Sequence, residues 1–166
     1  MKKYEFTGET MRFAGTTLRR IKRLSDERIG GWIESENNLS HEGTCFVYDI
    51  AQVYGNARIF NHARVYGNAQ VYGDAMVGGN ARVFDTAMVY GKAQVSICLY
   101  VQQLNHSITI TNDYIFIGCQ GHSWDYWAHN IEAIGRDAEY SADEIAETEA
   151  LIEILKKQIT RQLTAI

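Results

Sequence analysis

Arg64 and Arg82 stand eighteen residues apart, and Tyr48, Tyr66 and Phe84 keep the same interval. Guanidinium groups beside aromatic planes can stack on a base and pair with a phosphate. These five residues are the candidate site for a small anionic ligand, a nucleotide above all. The competing use is structural: an interface between subunits, with the arginines paired to acids such as Asp49, Asp74 or Asp85. A second basic run, Arg19, Arg20, Lys22 and Arg23, is either another anion site or a solvated or acid-paired face.

Other chemistry has less to build on. Cys119 and His122 make a C-x2-H pair with His129 beyond it, but no second pair closes a tetrahedral metal site. In the plainer reading Cys119 ends a strand and His122 belongs to a helix entry. No nucleophile elbow, Walker A loop, Rossmann fingerprint or kinase signature appears. No metal and no cofactor are implied.

Composition narrows the classes further. The 166 residues are 46% apolar and 22% charged, as in ordinary globular chains, which excludes disorder. A net charge of −4 argues against a binder of long nucleic acid. No stretch reaches the length of an apolar membrane span, and MKKYEFTGET lacks the apolar core of a signal peptide. Three cysteines without paired spacing fit a reducing cytoplasm. Charge is uneven: residues 1–28 carry +4, residues 29–100 carry −2 and residues 101–166 carry −6.

The elements that position these residues come from a repeat. Hexads starting at Val47, Val53, Ile59, Val65, Val71, Val77, Val83 and Val89 read VYDIAQ, VYGNAR, IFNHAR, VYGNAQ, VYGDAM, VGGNAR, VFDTAM and VYGKAQ. All open with a β-branched aliphatic and carry Ala in the fifth place. Weaker hexads extend the phase back to Ile29 and forward to Tyr100. An even period suits strands and not helical turns. Each unit alternates inward small and aliphatic residues with outward polar and aromatic ones, then turns on Gly with Asn or Asp. Strands this short must stack on copies of themselves.

The aliphatic and small hexad resembles the hexapeptide repeat of left-handed parallel β-helices, in which three hexads make one triangular coil. That resemblance implies about four coils over residues 29–100, a prism about 19 Å tall at ~4.8 Å per coil. One outer face then stacks Tyr48, Tyr66 and Phe84 beside Phe46, Arg64 and Arg82. A second stacks Tyr54, Tyr72 and Tyr90. The third loses its aromatic after Phe60, where Gly78 and Ser96 follow, and is either free or open to a closely packed helix.

The ends need closing, since bare strand edges invite aggregation. Residues 1–28 are the expected N-terminal β cap, with strands over 2–7 and 17–23. Residues 101–122 form a β-hairpin about an Asn112-Asp113 turn. The helical region, 123–166, holds a short helix capped by Ser123 and ended by Gly135. A second helix follows from 142 to 165, with Ser141 and Glu144 as a capping box. Its apolar stripe, Ile145, Ile152, Leu155, Ile159, Leu163 and Ile166, can pack on its own prism or on partner helices about a three-fold axis.

Left-handed hexapeptide helices are usually trimers, so the resemblance implies a homo-oligomer, a trimer or a multiple of one. Its best-known members are acyltransferases with a catalytic histidine, for which His62 is the candidate; the alternative is a turn residue. A γ-class carbonic anhydrase would need three histidines, and His41, His62 and His106 are not spaced by multiples of eighteen. KKYEFTGET, GGWIESENNLSHEG and the VYGNA units together resemble a group of small phage and prophage repeat proteins, over about residues 1–100. The expectation is a mainly β, non-catalytic oligomer in the cytoplasm of an infected bacterium, sequestering a nucleotide signal of host defence. Its alternatives are a module that blocks a host protein and an acyltransferase.

Overall fold

The computed structural model describes residues 1–96, 99–102, 107–117 and 120–164. The chain opens with three strands, β1 (Tyr4–Phe13), β2 (Thr16–Arg23) and β3 (Ile29–Ile33). Nine two-residue strands then follow at six-residue steps, from β4 (Phe46–Val47), β5 (Gln52–Val53) and β6 (Arg58–Ile59) through β7 (Arg64–Val65), β8 (Gln70–Val71) and β9 (Met76–Val77) to β10 (Arg82–Val83), β11 (Met88–Val89) and β12 (Gln94–Val95). Each pairs in parallel with the strand eighteen residues away, so Val47, Val65 and Val83 lie in one register, Val53, Val71 and Val89 in a second, and Ile59, Val77 and Val95 in a third. The result is a β-solenoid of about four coils.

Both inward places of the hexad are used. The aliphatics from Val47 to Val95 and the alanines from Ala51 to Ala93 are at most 3% exposed. Burial of each valine contributes roughly 1.5–3 kcal/mol.

The first coil departs from the six-residue phase. Ile29 is exposed, and the inward aliphatics are Ile33, Leu39 and Val47, so two extra residues enter between Leu39 and Val47. Ile33 accordingly pairs with Val53, and Leu39 bridges Ile59. Gly43 turns this longer corner at φ +67°, and a Cβ there would sit 2.2 Å from the Asn61 carbonyl oxygen. Asn38 fills the other corner, accepting from the Ser35 N–H at 2.8 Å and donating to the Gly55 and Ala57 carbonyls at 2.9 Å. A buried amide tied this way satisfies its polar atoms where no water reaches.

The N-terminal cap is longer than its sequence indicates. β1 and β2 form an antiparallel hairpin about Ala14-Gly15, with an irregularity between Phe6 and Thr10 where Gly8 takes φ +95°. β2 pairs with β3 and so extends one solenoid face, giving the order β1-β2-β3-β5-β8-β11. Tyr4 and Ile21 close the core at this end.

The C-terminal end carries a four-stranded antiparallel sheet: β13 (Leu99–Gln102), β14 (Ser107–Ile110), β15 (Tyr114–Ile117) and β16 (Gln120–Ser123). The expected Asn112-Asp113 hairpin is its middle pair, with the Thr111 N–H bonded to the Tyr114 carbonyl at 2.9 Å. That turn also caps the solenoid. Asp113 accepts from the Gln94 N–H at 3.3 Å and Asn112 from the Ser96 N–H at 3.2 Å, covering donors that would otherwise face nothing. Partial burial lifts the Asp113 carboxyl above its usual range. Period-two alternation splits β15 between two cores. Phe116 joins the solenoid core with Tyr114 packed beside it, while Ile115 joins a second core with Trp127.

Two helices form the other side of that second core, α1 (Trp124–Asp137) and α2 (Ala142–Leu163). Ser123 caps α1, accepting from the Tyr126 N–H at 3.3 Å. Gly135 does not end it. It lies inside the last turn, and a Cβ there would meet Ile145 Cγ1 at 2.6 Å, so glycine is needed for α2 to approach. The stop comes at Glu139, which takes φ +62°. The capping box of α2 forms as expected, with the Glu144 N–H on Ser141 Oγ at 3.2 Å and the Ser141 N–H on Glu144 Oε2 at 2.9 Å.

Ile145, Ile152, Leu155 and Ile159 of α2 are buried, and Leu163 is exposed. Ile152, Leu155 and Ile159 pack with Trp127 and Ile131 of α1 and with Ile108, Ile110 and Ile115 of the sheet. This stripe therefore packs on α1 and on the chain's own C-terminal sheet rather than on its prism. Ile166 lies outside the described residues. Among the described residues no helix is long and apolar enough to cross a membrane.

Candidate functional site

Strand pairing brings the two arginines together. Arg64 and Arg82 are in-register partners on β7 and β10, with Phe46 in the same row on β4. Tyr48, two places after Phe46, stands at one end of that face, edge-on to the Phe46 ring at 5.0 Å. Tyr66 and Phe84 stack at 5.4 Å and 11°. An open groove of about 270 Å³ runs along this face, lined by Arg28, Tyr48, Asp49, Arg64, Tyr66 and Arg82. Four of the five expected residues thus line one groove. Phe84 is not in the lining and supports the Tyr66 ring.

Two further residues complete the lining. Arg28 comes from the cap, where the Lys22–Ile29 pairing of β2 and β3 sets it just before β3. Its guanidinium lies 5.0 Å from the centre of the Tyr48 ring. No repeat period reaches Arg28, and only the fold brings it here. Asp49 occupies the place where five of the other seven hexads carry Gly, at φ +55°, and its Oδ2 accepts from the Gly67 N–H one coil away at 3.1 Å. That departure is visible in VYDIAQ, but VFDTAM shares it at Asp85, which does not line the groove, so the fold is needed to single out Asp49.

The guanidiniums of the groove lack ion-pair partners. Arg28, Arg64 and Arg82 make no ion pair with a carboxylate among the described residues. Of the acids offered as their partners, Asp49 accepts from the Gly67 N–H, Asp74 from Asn56 Nδ2 at 3.0 Å, and Asp85 forms no ion pair among the described residues. Arg23 behaves differently. It grips Asp26 through two nitrogens, at 2.7 and 2.5 Å. That contact holds the Asp26 carboxyl at about 2.

The basic run on β2 is dispersed. Arg19 lies 5.2 Å from the Phe6 ring centre, Arg20 lies 5.0 Å from that of Trp32, and Lys22 pairs with Glu5 at 3.0 Å. Successive side chains of a strand point to opposite faces, so the run does not make one patch.

The second aromatic face is a continuous ladder. Tyr54, Tyr72 and Tyr90 stack at 5.0 Å, within 3° and 12° of parallel. Phe13 extends it at 5.8 Å and Phe116 at 4.8 Å, so rings run from cap to cap. The third face needs no helix. A Cβ on Gly78 would fall 2.3 Å from the Phe60 ring, so that ring covers the place of the missing aromatic.

The histidines are apart. His62 Nδ1 lies 2.9 Å from Thr44 Oγ1 in an exposed turn. His41 stacks on Tyr4 at 4.3 Å, and its Nδ1 accepts from the Lys3 N–H at 3.2 Å. His122 stacks on Tyr126 at 4.0 Å. His106, Cys98 and Cys119 lie outside the described residues. Cys45 is buried beside Lys3, whose Nζ is 3.1 Å from the sulfur. Among the described residues no three His, Cys, Asp or Glu side chains are placed to share a metal.

The coils match the family model for the YdcK beta solenoid repeat over residues 51–67, 63–79 and 69–83. No curated protein matches the chain. The match and the stacked coils agree on a β-solenoid repeat protein.

Proposed function

We propose that this chain is a non-catalytic binding protein that holds a small phosphate-bearing anion, of the nucleotide class, in the groove of Arg28, Tyr48, Arg64, Tyr66 and Arg82. One observation carries the reading: three guanidiniums with no carboxylate partner among the described residues share an open groove with two phenol rings. Like charges placed together repel, and an anion seated among them reverses the sign of each contact. Guanidiniums suit phosphate because they bind it through two parallel N–H bonds, and the rings add flat surface for a base. His62, which an acyltransferase would need as a base, is held in a turn by Thr44 and does not line the groove.

The resemblance to phage and prophage proteins makes nucleotide signals of bacterial antiviral defence the first compounds to test. Sequestration in the cytoplasm of an infected cell is the corresponding role. A three-fold assembly, which the reading retains, would set the grooves between neighbouring prisms. Its contacts would come from the solenoid, because the stripe of α2 is buried within the chain.

Calorimetry and native mass spectrometry with a panel of cyclic and linear nucleotides test the proposal. The expected result is saturable binding, weakened about tenfold or more by Arg64→Ala and by Arg82→Ala, the loss of a hydrogen bond to a charged group. Binding and oligomer mass left unchanged in both variants would overturn it.

A further inference from the structure

Among three guanidiniums, Asp49 is out of place. Asp49 lines the same groove as Arg28, Arg64 and Arg82, yet its carboxylate forms an ion pair with none of them. It is also fixed. The backbone takes φ +55°, and Oδ2 accepts from the Gly67 N–H at 3.1 Å, which ties the side chain across one coil. The other oxygen has no hydrogen-bond partner among the described residues. A carboxylate is an acceptor only, so it favours a ligand that brings donors and repels one that brings nothing but negative charge.

We infer that Asp49 is a specificity-determining residue, which selects a phosphate ester carrying hydroxyl donors beside its phosphate, a ribose phosphate, over a donor-free oxyanion such as sulfate or a deoxygenated analogue. This inference rests on the binding groove proposed above. The guanidiniums hold the phosphate, and Asp49 accepts from the sugar hydroxyls on the same ligand. Tyr48 and Tyr66 supply the aromatic walls between the two. A site built for hydroxyl donors penalises the analogue that lacks them, because its acceptor is desolvated without return.

Three probes decide the matter: adenosine 5′-monophosphate, its 2′,3′-dideoxy analogue, and inorganic sulfate, which carries negative charge and no donor. The ribonucleotide is expected to bind about tenfold more tightly than the dideoxy analogue, the effect of one hydrogen bond to a charged group. Asp49→Asn retains an oxygen for the Gly67 N–H and a residue type that tolerates positive φ. It is expected to erase the preference for the ribonucleotide and, by removing the repulsion, to tighten sulfate. A merely structural role would move both ligands in one direction. Equal binding of the ribonucleotide and dideoxynucleotide to the native chain would overturn the assignment of Asp49 and leave the groove standing. So would sulfate binding that Asp49→Asn leaves unchanged or weakens. Failure of all three probes to bind would overturn the proposed function together with this inference.

Discussion

Replacing Arg82 by glutamine should make the unliganded protein more stable while weakening its binding of anions. Arg82 and Arg64 are direct partners on adjacent coils, and both are exposed. Strands in a parallel ladder lie about 4.8 Å apart. Two unit charges at that spacing repel by about 0.9 kcal/mol in water. No carboxylate pairs with either arginine to offset this, among the described residues. Glutamine keeps the first part of the arginine stem and its packing, so Arg82→Gln removes the charge and little else. The relief should reach up to about 0.9 kcal/mol, which raises Tm by roughly 2–4 °C for a chain of this size. Calorimetric melting at low ionic strength measures it. The gain should vanish in 1 M salt, where the Debye length falls to about 3 Å. A melting point that drops or stays put at low salt would refute the reasoning, since the guanidiniums would then be neutralised by partners of their own.

Three further outcomes follow from the geometry. Gly43→Ala forces a Cβ to within 2.2 Å of the Asn61 carbonyl and puts alanine at φ +67°. It should cost about 1–2 kcal/mol for the backbone conformation alone, with the clash added, and denaturant unfolding should show it. Ser141→Ala removes the capping box of α2 and should cost about 1 kcal/mol, seen as faster amide exchange in the first turn. The Asp26 carboxyl sits at about 2 because of Arg23, below its ordinary 3.8, so its contribution is present above the ordinary value and lost as pH falls from about 4 towards 2. A carboxyl titration by NMR should return it to the ordinary range in Arg23→Gln.

What the sequence discloses depends on how locally each feature is encoded. Hexads from Val47 to Val89 show their inward places directly, because an even period and a fixed alanine leave one way to stack. The Asn112-Asp113 turn and the Ser141–Glu144 box are equally local, each formed by residues within three places of one another. The first coil is harder. Its two extra residues between Leu39 and Val47 shift the register of everything before them, and Ile29 resembles a repeat aliphatic while standing in solvent. Gly135 reads as a helix stop in sequence because the residue it must make room for, Ile145, lies beyond the next turn. Arg28 illustrates the limit most clearly. It enters the groove through the pairing of β2 with β3, and no spacing in the repeat leads to it.

The two caps touch different ends of the prism, and the coils between them are near copies in a single register. An added eighteen-residue coil, placed between Val65 and Val83, would leave the Tyr4–Ile21 closure and the Asn112–Asp113 closure intact. It would also lengthen the groove by one guanidinium and one aromatic, about 4.8 Å of reach. The chain is in that sense a measuring rod whose graduation is set by duplication of a short stretch of gene. The length of the groove becomes a heritable quantity, adjustable in whole steps and without redesign of either end.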